Sequence, residues 1–167
     1  MDYELKCIST AGIPEAISKA ELYRGLSEPE EAESICRDIL AVEPDHQLAL
    51  RLLGLALTDQ FTGGSSNSEA EEIFQQLNSP YERFYYTGIV HERRAKAQLR
   101  AGQPPYTVRP LFEQALRSFA RAETIRPEGN DDAILRWNRC VRLLQTPAYA
   151  REQEEDAAFE AMDAPPR

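Results

Sequence analysis

Apolar residues recur at steps of three and four along most of the chain: Ile35, Ile39 and Val42 in one segment, Leu50, Leu53 and Leu57 in the next, then Phe112, Leu116 and Phe119. A helix brings such positions onto one face, so each segment predicts an α-helix with one side turned to a core. The period-two alternation of a half-buried strand is nearly absent. The expectation is an all-α chain. Pro14 marks one helix start, and Ser27 reads as the N-cap of "SEPEEAESICRDILAVEP", with acidic residues in its first turn and Pro44 past its end. After Pro127, Asn130 or Asp131 opens a segment whose Ala133, Ile134, Trp137, Val141 and Leu144 share a face.

A longer period underlies these elements. Ala20, Gly54 and Gly88 are small residues at steps of 34, preceded by Ala16, Leu50 and Phe84 and followed by Tyr23, Leu57 and His91 at the same steps. A small residue lets two helix backbones approach, while the larger residues three or four positions away fill the groove on the same face.

This pattern resembles the tetratricopeptide repeat, a 34-residue helix-turn-helix unit with W-x2-L-G-x2-Y on its first helix and A-x3-F and a terminal Pro on its second. The first-helix places fall on Leu50, Leu53, Gly54 and Leu57, and again on Phe84, Thr87, Gly88 and His91; second-helix places fall on Ala32, Cys36, Ile39 and Pro44, and on Ala115, Phe119, Ala122 and Pro127. The resemblance implies a right-handed α-solenoid of about three repeats (about 13–46, 47–80 and 81–129) with a capping helix at 130–145. An N-terminal segment, 1–12, precedes it, and an acidic tail expected to be mobile, 146–167, follows; Phe159 and Met162 there suggest a short helix. Two departures stand out. The turn "TDQFTGGSSNSEA" makes the helix holding Ala70, Phe74 and Leu77 late and short, and the third repeat exceeds the usual helix-to-helix spacing by 15 residues. An extended first helix and a loop containing "GQPPYTVRP", within an insertion over residues 101–110, are expected to absorb the excess.

The net charge of -9 is unevenly spread. Residues 1–80 carry 5 Lys+Arg against 15 Asp+Glu, residues 81–145 carry 12 against 7, and residues 146–167 carry 2 against 6. An acidic front, a basic middle and an acidic tail lack the coherent positive field that nucleic acid requires, yet they suit an acidic partner on the basic part. The opening "MDYELKCISTAG" has no leader-like regions and no apolar run reaches membrane length, so a cytoplasmic location without membrane contact is expected. Cys7, Cys36 and Cys140 have no zinc spacing and are expected to be buried thiols.

His91-Glu92 suggests a fragment of a metal or acid/base site, but Ala95 stands where a second histidine would be needed, and His91 lies on the face the repeat pattern buries. It is expected in the core. Neither a phosphate-binding glycine loop nor a nucleophile motif is present, so no catalytic residue, metal ligand or cofactor is expected. Of the basic run, Arg93, Lys96 and Arg100 share one side of a helix and Arg94 points away. First helices of this family line a concave groove. The residues placed there are Arg51, Leu52, Leu55, Tyr85, Tyr86, Ile89, Glu92, Arg93, Lys96, Asn138 and Arg142, a mixture of aromatic, aliphatic and cationic types suited to a protein or peptide that is acidic and partly apolar. The corresponding faces offer Ile17, Glu21, Leu52, Leu55 and Tyr86, so the clamp that grips a terminal carboxylate in chaperone adaptors is not reproduced. The expected function is a protein-interaction module. A small secretion chaperone and a self-associating structural protein, with an acidic segment docked on the basic middle, are the rival readings.

Overall fold

Each apolar stripe becomes a helix. The computed structural model describes residues 3–63 and 68–149, and among these there is no strand. After a 3-10 turn at Thr10–Gly12 come α1 (Ile13–Gly25), α2 (Pro29–Val42), α3 (Gln47–Asp59), α4 (Ser68–Gln75), α5 (Pro80–Arg100), α6 (Pro105–Thr124) and α7 (Asp132–Leu144). Each helix packs on the next in sequence, and α1 and α5 also touch α3. No helix of the described residues is long and apolar enough to cross a membrane.

Local chemistry explains most of the ends. Prolines occupy the first turns of α1, α2, α5 and α6, where a missing N–H costs nothing. Ser79 caps α5 by accepting from the Glu82 amide at 3.3 Å, and His46 caps α3 by accepting from the Ala49 amide at 3.2 Å. Ser27 is not a cap. It adopts φ 63° beyond α1, its amide donating to the Arg24 carbonyl and that of Glu28 to the Tyr23 carbonyl, so it terminates the first helix instead of starting the second. At α7 the capping side chain is that of Asn130, whose Oδ1 accepts from both the Asp132 amide and the Tyr81 hydroxyl.

The small residues of the 34-residue period sit at close crossings. Ala20 is fully buried; a Cβ on Gly54 would collide with the Phe74 ring, and one on Gly88 with the Phe119 ring. The core extends on both sides of α5: Leu50, Leu53, Phe74 and Val90 belong to one cluster, and Ile89, Phe112, Phe119 and Cys140 to another.

Two further expectations change. The loop expected over 101–110 shrinks to residues 101–104, because Pro105 opens α6 and Val108 and Phe112 bury a helical face straight through Pro110. The third hairpin is thus lengthened in both helices. Cys36 and Cys140 are buried, with burial pushing each thiol up to about 12, but Cys7 is exposed. At the C-terminal boundary, Tyr149 is buried against Phe112, ring centroids 6.0 Å apart, and its carbonyl accepts from Arg109. The rest of the acidic tail, with Phe159 and Met162, lies outside the described residues.

Candidate partner-binding cleft

Three helices meet at one carboxylate. Arg24 of α1 donates through Nε to Asp59 Oδ2 at 2.7 Å, and Arg93 of α5 donates through Nη1 to Oδ1 of the same residue. Asp59 ends α3, and its partner Arg93 lies one 34-residue step along the chain. Arg93 also donates to Thr58 Oγ1 at 2.7 Å and to the Leu55 carbonyl at 3.3 Å, so a cation sits on the C-terminal turn of α3, where the helix dipole favours it. Burial lowers the pKa of Arg93, as do Arg24 and Arg136, with Asp59 opposing them.

A second carboxylate lies one residue earlier on α5. Glu92 is 1% exposed; its Oε1 accepts from Lys96 one turn ahead and pairs with Arg136 Nη1 of α7 at 3.5 Å. Its Oε2 is buried without a hydrogen-bond partner. Burial works against the charge on Arg136, but Glu92 and the Tyr85 hydroxyl outweigh it and raise its pKa.

Beside these ion pairs opens a cleft of about 550 Å³ lined by Thr58, Asp59, Arg93, Lys96, Arg100 and Arg136. Four cations face one acid there. Guanidinium and ammonium groups in this density favour oxyanions, and forked arginines hold carboxylates especially well. The cleft offers no nucleophile paired with a base, and among the described residues no three His, Cys, Asp or Glu side chains are grouped to hold a metal.

The expected groove residues divide in two. Arg93 and Lys96 line the cleft, while Leu52 and Ile89 are buried in the core clusters, 5% and 2% exposed. Tyr86 stacks on Phe74 with centroids 4.7 Å apart, and burial pushes its phenol up to about 12. Tyr85 packs edge-on against Tyr86 and stacks with Tyr81, leaving only part of its surface open. Leu55 is half-buried between the two core clusters. Arg51 pairs with Glu82 at 2.7 Å. Asn138 and Arg142 do not line the cleft.

Asp59 and Arg136 were not placed in the groove by the sequence. Asp59 had a usable signal, an acid one repeat before Arg93. Arg136 had none, since it reaches Glu92 of α5 from α7, outside the 34-residue steps. His91 turns away from the cleft, half-buried, its Nδ1 without a hydrogen-bond partner; burial lowers its pKa. Arg94 likewise points elsewhere, to Glu71 at 3.0 Å and over the Phe61 ring. The chain matches no protein-family model, no curated protein and no solved structure.

Proposed function

We propose that the chain is a protein-interaction module of three tetratricopeptide-like hairpins and a capping helix, and that it binds an acidic segment of a partner protein in the cleft between α3, α5 and α7. The buried small residues at 34-residue steps, with Phe74 and Phe119 against two of them, support the repeat reading. The observation that carries the binding reading is the cleft itself, where Arg93, Lys96, Arg100 and Arg136 surround about 550 Å³ against the single lining acid Asp59. A patch this local suits a short run of acidic side chains better than a nucleic-acid backbone, whose binding draws on many spaced phosphate contacts. With Leu52 and Ile89 in the core, the apolar share of recognition falls to the open parts of Tyr85 and Leu55.

The test begins with affinity capture by the wild-type chain and by Lys96→Glu/Arg100→Glu, followed by titration of the captured partner's acidic segment at two salt concentrations. We expect the double reversal to weaken binding by about 100-fold or more and the wild-type affinity to fall with salt. Equal affinity of both proteins, or no salt dependence, would remove the cleft from the function.

A further inference from the structure

The carboxylate that lines the cleft, Asp59, and the one buried behind its cations, Glu92, are held in different ways. Asp59 is saturated, with an arginine on each oxygen and three helices tied through it. Glu92 is half satisfied. Its Oε1 holds Lys96 and Arg136, while Oε2 is buried with no donor, which is a costly way to place a carboxylate if its only task is to stabilise the helix. The side chains of Lys96 and Arg136 remain 32% and 39% exposed, and both line the cleft on their open sides. Arg100, the next cation along the same helix face, has no ion-pair partner among the described residues.

We propose that Glu92 is an intramolecular competitor for the cleft: it occupies Lys96 and Arg136 while the cleft is empty, and clustered Asp or Glu side chains of the partner segment take those cations from it. This rests on the acidic-segment reading above. Arg100 is the first landing point for the incoming acid. Lys96 and Arg136 then turn outward on their flexible stems, which requires side-chain rotation and no movement of α5 or α7. The carboxylate already held there identifies the ligand chemistry, because the cations that pair with Glu92 on their buried side are open to another carboxylate on the side that lines the cleft. Glu92 therefore sets a threshold, and a single acidic residue competes poorly where two or three adjacent ones succeed.

The experiment measures fluorescence anisotropy of a labelled hexaglutamate peptide at low salt against the wild-type chain, Glu92→Gln and Arg100→Glu. Loss of the competing charge is expected to tighten binding to Glu92→Gln about fivefold or more, and Arg100→Glu to weaken it by a similar factor. If Arg100→Glu weakens binding while Glu92→Gln leaves it unchanged or weaker, the competitor role is overturned and the cleft reading stands. If neither variant differs from wild type, both fall. Circular dichroism establishes that Glu92→Gln is folded; should it not be, the side-chain Nε–H resonance of Arg136 in the wild-type chain is followed during the same titration. A shift at that resonance supports the exchange of partners, and a resonance that stays put while the peptide binds overturns it.

Discussion

At the end of α1, Ser27 holds φ 63°, a left-handed conformation that costs an L-residue with a side chain about 1 kcal/mol or more and costs glycine almost nothing. Ser27→Gly is therefore expected to raise the unfolding free energy by about 0.5–1 kcal/mol in urea titration, despite glycine's greater freedom in the unfolded chain. A converse experiment applies at Gly88. There an added Cβ meets the buried Phe119 ring, which has no open side to move toward, so Gly88→Ala is expected to cost about 2–3 kcal/mol in the same measurement. His91 adds a pH dependence. Its folded pKa lies below the ordinary 6.5, chiefly through burial, so the unfolded chain binds the proton more readily. Stability is unaffected by this group above that pH and declines as pH falls below it. His91→Tyr should retain more stability than wild type on going from pH 7.5 to 5.5; parallel urea midpoints for the two proteins would refute the assignment.

Among the elements, α5 and the turn after α3 account together for both departures from the repeat. Phe61, 5% exposed, enters the same cluster as Val90 and Ala97 of α5, Arg94 lies over its ring, and a Cβ on Gly63 would collide with Ala101. Phe61 and Gly63, just after α3, thus rest on the last turns of α5. Phe61→Ala is expected to cost about 3 kcal/mol and to raise amide exchange both at the end of α3 and over residues 95–101, where a local role would affect the former alone. The start of α1, the small-residue crossings and the short α4 were legible because each depends on a local residue type: a first-turn proline, a small residue, a late apolar stripe. The lengthened α6 was not, because Pro104, Pro105 and Pro110 read as loop, whereas in the structure one proline caps, one opens the helix and one is tolerated on an exposed face over buried Val108 and Phe112. The cleft was half legible for a similar reason. Arg93 and Lys96 follow from helical phase, but the burial of Glu92 depends on Arg136, contributed by a helix more than forty residues away.

For the whole molecule, charge matters more by placement than by total. The acid-rich front meets the basic middle where α3 and α4 pack on α5, and ion pairs lie across that junction beside its apolar contacts: Arg24–Asp59–Arg93, Arg51–Glu82 and Arg94–Glu71. Asp59 carries the greatest share of this coupling, since it is shared between two arginines from different helices and its side chain is 25% exposed. Removing its charge leaves Arg24 and Arg93 facing each other without a common anion. That repulsion is moderated by the water that reaches both side chains. Asp59→Asn is accordingly expected to cost about 2 kcal/mol, between the values for exposed and fully buried pairs. The loss should be smaller at high salt, which screens the arginine pair. It should also be directional: amide exchange is expected to accelerate in α1 and at the end of α3, while α6 and α7, held by Phe112, Phe119 and Cys140, keep their protection. Uniform acceleration from α1 through α7 would instead mean that Asp59 stabilises the fold as a single cooperative unit, with no separable junction between its acidic and basic parts.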